Sequence, residues 1–389
     1  MAIEGRKEGR EPRIRLGMVG GGSGAFIGAV HRIAARLDDK FELVAGALTS
    51  EPERSRQSGA ELGLDAGRTY DDYKQMAIRE ARLKNGIEAV AIVTPNHLHY
   101  PVAREFLKRG IHVICDKPLT STLSDAKKLV KLVESGDALF ILTHNYTGYP
   151  MVRQAREMVQ SGQLGEIRLV QVEYAQDWLA EPLERTGQKQ AAWRTDPARS
   201  GAGGATGDIG THAYNLAEFV AGLELEALAA DVHTFVDGRK LDDNAHVLLR
   251  FKGGAKGMLW CSQVAIGHEN GLELRVYGTR GGLEWAQENP NQLWFTRLGE
   301  EPRRISRAGA GAGSAAARVS RIPAGHPEGY LEGFANLYAE AAAAISAAKR
   351  GVRPDPEVTF PTVYDGLKGV AFVEACIASS KRNGAWLKL

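Results

Sequence analysis

Residues 14–37 read IRLGMVGGGSGAFIGAVHRIAARL, and the rest of the chain is organised around them. Ile14 to Val19 is an apolar run of the kind a fully buried parallel strand needs. Glycines then interrupt it. A segment of helical period follows, with Phe26, Ile27, Val30, Ile33, Ala34 and Leu37 on one face. Strand, glycine turn and helix in that order form a cradle for a dinucleotide pyrophosphate. Glycine permits the tight turn and the close approach of backbone to phosphate, and free N–H groups at the helix start meet the negative charge. Two registers are open. In one, Gly20 and Gly22 are followed by Ala25 in the third small position; in the other, Gly28 takes that position after three extra residues. The candidate cofactor contacts are Gly20, Gly22, Ser23, Ala25, Phe26 and Ile27. A lone glycine run is weak evidence, because glycine turns follow many strands.

Working outward, FELVAGAL (41–48), GIEAVAIVT (86–94), IHVIC (111–115) and ALFILTH (138–144) read as further buried strands. Helical stretches separate them: 51–62, then one through Val102, Phe106 and Leu107, then one through Ala126, Leu129, Val130 and Val133. This alternation implies right-handed crossovers and a parallel sheet covered on both faces, with ligands beyond the carboxyl ends of the strands. Those ends carry Thr49-Ser50, Thr94-Pro95-Asn96, Asp116-Lys117-Pro118 and His144-Asn145-Tyr146, all polar or backbone-special. After the second strand, an Asp or Glu would grip the ribose 2′-OH of NAD. Here Ser50 and Arg54 stand nearby and suit a 2′-phosphate, which inclines the balance toward NADP without deciding it; the alternative is that Arg54 is a solvated helix residue.

The rhythm changes near Pro150. A helix over 151–160 leads through a turn into IRLVQVEYAQDW (167–178), a long alternating strand. The glycine-rich SGAGGATGDIGTH (200–212) runs into a helix through Tyr214, Leu216, Ala217, Phe219 and Val220. AHVLLRF and AKGMLWCSQV form a hairpin about Gly253-Gly254, and LELRVYG, GLEWAQ and QLWFTRL follow, flanked by helices over 329–348 and 363–382. Residues 307–318 (RAGAGAGSAAAR) read as a mobile loop. The expected architecture is α/β: an N-terminal Rossmann dinucleotide-binding domain over 13–146, joined to an α+β substrate-binding and oligomerisation domain over 147–389 with an open-faced, mostly antiparallel sheet.

Composition narrows the function classes. With 389 residues, 43% hydrophobic and 25% charged, the chain is an ordinary globular protein long enough for two domains. Its 49 basic and 47 acidic residues leave +2, which gives no electrostatic reason to expect nucleic acid or a membrane surface as partner. Cys115, Cys261 and Cys376 are far apart and odd in number, so neither a disulfide framework nor a CxxC metal site is indicated. The charged start MAIEGRKEGREPR is expected to fray and carries no apolar leader core; a cytoplasmic protein is expected.

Lys117, held before Pro118 at the binding edge, can donate to a substrate hydroxyl and place positive charge beside a developing alkoxide; an exposed strand-end lysine is the alternative. Asp208 and His212 are four apart after Gly201, Gly203, Gly204 and Gly207, where a backbone can approach a ligand closely. A histidine beside a carboxylate can act as general base, with an N-capping aspartate and a core histidine as the alternative. Trp193 and Arg194 suit a sugar ring or the cofactor, and Asp177 and Trp178 end the preceding strand; either pair is equally a packing contact and a surface ion pair. His97 and His99 are not a metal site: two residues apart on a helix they point different ways, and no third ligand is suitably spaced.

Taken together, Gly20-Gly21-Gly22, Thr94-Pro95-Asn96 with His99, Asp116-Lys117-Pro118 and the segment from Gly203 to His212 resemble the Gfo/Idh/MocA family of oxidoreductases from about Arg13 onward. The resemblance implies NAD(P)-dependent hydride transfer at a secondary hydroxyl of a sugar or cyclitol, and a homodimer or homotetramer formed through the second sheet. It places the family's Glu-Lys-Pro motif on Asp116, Lys117 and Pro118, with Asp for Glu, and its Asp-x-x-x-His pair on Asp208 and His212. In that pair His212 is the acid/base and Asp208 positions its ring. Thr94, Pro95, Asn96, His99, Asp116, Lys117, Asn145, Trp193 and Arg194 are the further cofactor candidates. Lys117, Tyr146, Asp177, Trp178, Arg194, Asp208, Thr211 and His212 are the substrate candidates. The alternatives are a non-catalytic nucleotide- or sugar-sensing protein of the same fold, and a sugar–sugar oxidoreductase with tightly bound cofactor.

Overall fold

The apolar run at Ile14 forms strand β1 (Ile14–Gly20), and the computed structural model, which describes residues 12–389, pairs it in parallel with β2 (Phe41–Ala47) and β3 (Ala89–Val93). Residues 1–11, most of the start expected to fray, lie outside the described residues. β4 (His112–Cys115) and β5 (Phe140–Leu142) complete a five-stranded parallel sheet of order β2-β1-β3-β4-β5. Every residue of β3 and β5 is buried, as a sheet covered on both faces requires. The change of direction between β1 and β3 puts the crevice for a ligand beside the β1 carboxyl end.

Two helices from the far C-terminus return to cover this sheet. Tyr330–Lys349 packs Phe334, Tyr338 and Ile345 against the apolar face of Phe26–Leu37, and Val363–Ser380 adds Val363 and Val370 to the opposite core.

The second sheet has nine strands: β6 (Ile167–Ala175), β7 (Leu225–His233), β8 (Asn244–Phe251), β9 (Lys256–Ser262), β10 (Gly271–Gly278), β11 (Gly281–Ala286), β12 (Gln292–Arg297), β13 (Arg303–Ser306) and β14 (Leu387–Lys388). Their order is β13-β12-β11-β10-β6-β9-β8-β7-β14, antiparallel except for the central β6–β9 pair. One face buries Val170, Val172, Leu259, Leu274 and Trp285 beneath helices. On the other, Leu248, Met258, Gln171, Arg275, Glu284 and Trp294 stand in cross-strand register. Leu248, Met258 and Trp294 are between 43% and 56% exposed there, so this face is open.

The segment 307–318 departs from its expected mobility. Arg307 is buried, its guanidinium paired with Glu328 at 3.0 Å and donating to the carbonyls of Ile322 (2.7 Å) and Pro323 (2.9 Å). Ser314–Arg318 is helical, and Gln154 and Glu157 accept from the backbone N–H groups of Gly313 and Ala315. The small residues lie close against the neighbouring helix rather than looping free.

Candidate active site

The turn after β1 resolves the two glycine registers. A Cβ on Gly28 would lie 2.4 Å from Gly21 Cα and 2.6 Å from its carbonyl oxygen, so Gly28 is the residue that lets the helix meet the turn. Ala25 is instead the residue before the helix and lines the groove. Gly20 and Gly21 have φ of 80° and 73°, where a side chain is strained. Gly22 N–H donates to Leu48 O (3.1 Å) and Ser23 N–H to Ser58 Oγ (3.0 Å), so these amides hold the turn. The helix Phe26–Leu37 has no side-chain cap, which leaves its first amides, at Phe26 and Ile27, as the donors available to an anion.

A cleft of about 570 Å³ runs between the two sheets. Phe26, Ile27, Asp116, Lys117, Asn145 and Tyr146 line it from the first half of the chain, and Trp178, Arg194, Asp208 and His212 from the second. It continues into a groove of about 390 Å³ lined by Ala25, Thr94, Pro95, Asn96 and Trp193. The Thr94 hydroxyl and the Asn145 amide nitrogen are buried without a protein partner among the described residues. Unpaired buried donors of this kind require a ligand or water. Together with the uncapped helix and the Gly21–Gly28 approach, they fit a dinucleotide lying across the β1 edge.

Lys117 ends β4's strand-to-loop transition, and its peptide to Pro118 is cis. Its Nζ donates to Asp208 Oδ1 and to the Asp208 carbonyl, both at 2.7 Å. Asp208 Oδ2 accepts from Gln263 Nε2 (2.9 Å) and faces Arg194 Nε (3.3 Å). Burial acts to raise the Asp208 carboxyl, but Lys117 and Arg194 outweigh it and hold the group well below the usual carboxylate range. Asp208 lies in a π-helical turn, Thr206–Gly210, that leads into the helix Thr211–Ala221. Asp242 pins that turn: its carboxylate accepts from Gly204 N (2.6 Å), Thr206 N (2.7 Å) and Thr206 Oγ1 (2.5 Å). The glycines of this run are therefore not laid against the cleft. A Cβ on Gly204 would be 2.1 Å from Asp242 O, and one on Gly201 2.5 Å from Ser121 O.

His212, buried in the cleft wall, has its ring 4.9 Å from that of Tyr146 and 5.3 Å from that of His144. Burial first, then Lys117 and His144, push the imidazole well below its ordinary value, so it is neutral at pH 7. The expectation that Asp208 orients this ring is corrected: two cations and an amide claim the carboxylate, and the described hydrogen bonds include none between the His212 and Asp208 side chains.

Several further expectations are corrected. His99 is fully buried, its ring nitrogens against Pro118 O (2.7 Å) and Thr94 O (2.9 Å); it ties the two binding loops together and does not reach the groove. The Thr211 hydroxyl is taken up by Gly207 O at 3.0 Å. Asp177 accepts from Gly267 N (3.1 Å) and is not among the residues lining the cleft. The choice between NAD and NADP is left as the sequence had it: Ser50 is exposed and Arg54 pairs with Glu51 at 3.0 Å at the surface. Asp116 is not overturned: it lines both the cleft and the groove, and its carboxylate accepts from its neighbour Lys117 N (3.0 Å) and from Thr143 Oγ1 (3.2 Å).

Sequence reasoning missed a polar wall. Tyr174 shares a hydrogen bond with Tyr146 (2.6 Å) and donates to Asn270 Oδ1 (2.7 Å), which also accepts from Gln176 (2.8 Å). The signal available was position alone: Tyr174 and Gln176 sit near the carboxyl end of β6, next to the glycine-bearing start of β10.

Comparison with known proteins decides the family. Residues 14–144 match the model of the oxidoreductase family NAD-binding Rossmann fold, and 152–284 match the GFO/IDH/MocA C-terminal domain. The chain belongs to the Gfo/Idh/MocA family. It is an NAD-binding oxidoreductase of that family, similar throughout to solved members. An oxidoreductase from Sinorhizobium meliloti is 66% identical, covering 97% of this chain and 100% of that one, with a TM-score of 0.88. An inositol dehydrogenase homologue from Azotobacter vinelandii, in complex with NADH and myo-inositol, is 38% identical over 97% and 98% of the two chains, with a TM-score of 0.90. Levoglucosan dehydrogenase of Pseudarthrobacter phenanthrenivorans is 28% identical over 72% of this chain and 75% of its own. No described helix is long and apolar enough to cross a membrane, and no described group of three or more His, Cys, Asp or Glu is arranged to hold a metal.

Proposed function

We propose that this Gfo/Idh/MocA member is an NAD(P)-dependent dehydrogenase acting on a secondary hydroxyl of a cyclitol or pyranose, running also in the reducing direction. The supporting observation is the convergence on one cleft of a cation, Lys117, from the end of the first sheet and a neutral imidazole, His212, from the second half of the chain. The substrate hydroxyl lies between them. Lys117 Nζ donates to its oxygen and stabilises the negative charge that develops there. His212 takes the hydroxyl proton at Nε2 and returns it in the reverse reaction. Asp208 holds Lys117 in place and offsets its charge until substrate shares it. The polar wall of Tyr146, Tyr174 and Asn270 is where the remaining hydroxyls of a polyol find donors and acceptors. Nicotinamide, when bound, supplies the site that accepts or gives the hydride. Phe26, Ile27, Thr94 and Asn145 are the residues that would hold the cofactor.

The open face of the second sheet, with its row from Leu248 to Trp294, is the surface through which copies of the chain associate as dimers or tetramers. Lys117→Ala and His212→Ala are each expected to lower kcat by 10²-fold or more, on the order of an acid–base contribution, with NADH affinity nearly unchanged. A panel of inositols and pyranoses followed at the nicotinamide absorbance tests this. Turnover near that of the wild type in either variant would refute the role assignment.

A further inference from the structure

His144 and His212 present their Nδ1 atoms to each other at 3.5 Å, their ring planes 83° apart. Two bare nitrogens would repel at that distance, and so would two N–H groups; one proton between them makes the contact attractive. His144 is buried at the end of β5, its backbone fixed by His144 N–H to Leu142 O (3.0 Å) and by Thr147 Oγ1 donating to His144 O (2.8 Å). It is not among the residues lining the cleft. With the Asp208 carboxylate engaged elsewhere, His144 is the described side chain within hydrogen-bond reach of the inner nitrogen of His212.

Resting on the dehydrogenase reading, we propose that His144 is the positioning residue for His212. It accepts a hydrogen bond from His212 Nδ1–H and so leaves Nε2 bare toward the cleft. When the substrate O–H bond breaks, its proton goes to His212 Nε2, and the hydrogen on carbon leaves with its electron pair to the nicotinamide, giving the carbonyl. The imidazolium so formed keeps its Nδ1–H bond to His144, a neutral acceptor in the place a carboxylate often occupies. For His144 to accept and His212 to act as base, both rings must be neutral at rest, and the surroundings favour this. His144 faces Lys117 and Asp116 from the β4 loop and Asp365 from the C-terminal helix, and burial, then Lys117, bring it down to about 4. His212 faces Lys117, His144 and Asp208, with the rings of Tyr146 and Tyr174 against it.

The test combines 15N NMR of the full, histidine-labelled chain with kinetics; the His212 signals are assigned by their loss in His212→Gln. Wild-type His212 is expected to carry its proton on Nδ1 at pH 7. His144→Phe keeps an aromatic ring but removes the acceptor, and His212 then shifts toward the Nε2–H tautomer. With whichever inositol or pyranose the wild type oxidises, that variant loses about 10- to 100-fold in kcat, with KM and NADH affinity held. His144→Asn, whose amide oxygen can reach the same point, recovers most of the rate and the wild-type tautomer. A wild-type His212 protonated on Nε2 overturns the proposal, as does a His144→Phe enzyme with unchanged tautomer, or no recovery in His144→Asn. Should His144→Phe fail to fold, the wild-type and His144→Asn spectra decide. Absence of turnover with every polyol would instead count against the dehydrogenase reading, and the tautomer spectrum would still judge His144.

Discussion

Gly28→Ala isolates the fit of the first helix to the glycine turn. The added Cβ would sit 2.4 Å from Gly21 Cα, against an ordinary contact of at least 3.4 Å. The shortfall is therefore about 1 Å, and the obstacle is backbone, including Gly21 O at 2.6 Å, rather than a side chain that can swing away. The helix must retreat by roughly that distance and carry the Phe26 and Ile27 amides with it. Overpacking of this kind costs about 1–3 kcal/mol of stability. Losing one charge-assisted bond to the diphosphate costs a further 1.5–3 kcal/mol of binding, or about 10- to 100-fold in Kd. Stability is read from urea midpoints, and affinity from quenching of tryptophan fluorescence by NADH. Gly110→Ala is the control: Gly110 has φ of 73° with nothing within 4 Å of its Cβ position, so it should lose some stability without weakening the cofactor. Wild-type NADH affinity in Gly28→Ala would refute the argument and return the third small position to Ala25.

Four further outcomes are expected. The rate of alcohol oxidation should stay level from pH 8 to below 6.5, the ordinary histidine value, because His212 remains an unprotonated base there; an acid limb centred at or above 6.5 contradicts its depressed pKa. Stability should decline as pH falls from 6.5 toward about 4. Over that range the unfolded chain takes up a proton at His144 that the folded chain refuses, and flat urea midpoints across it would count against a neutral buried His144. Parallel titrations with NADPH and NADH address the ribose pocket. If Arg54 leaves Glu51 for a 2′-phosphate, Arg54→Ala weakens NADPH about 10-fold more than NADH, and an unchanged ratio removes the lean toward NADP. Leu248→Glu with Met258→Glu places two like charges side by side on the open sheet face and should reduce the sedimenting mass to that of one chain; an unaltered mass puts the association surface elsewhere.

What could be read in advance follows the range over which each signal acts. The β1 run and the helix after it are set by neighbours within a few residues, so periodicity alone locates them. Strand ends inherit that accuracy, which is why Lys117, Asn145 and Tyr146 fall on the cleft as expected. β7 escapes because LEALAADVH is rich in alanine, a poor strand former; it is held by tertiary contacts, Ser379 and Ser380 accepting from Ala230 N (2.9 Å) and Val232 N (3.0 Å). Gly201 and Gly204 signal a close approach correctly but not to what, since the carbonyls they meet belong to Ser121 and Asp242, both far along the chain.

The partners of the catalytic groups are harder still. Asp208 and His212 share a segment, and a spacing of four invites a pairing between them. Yet the strongest field at Asp208 comes from Lys117, 91 residues earlier, and the side chain within hydrogen-bond reach of His212 Nδ1 is His144, 68 residues earlier. Both come from the carboxyl edge of the first sheet, brought under the second half of the chain by the helices that return over it. A local motif names the reacting groups. Which of them holds which is set by the fold, and a carboxylate four residues from a histidine is drawn away as soon as two cations stand closer to it.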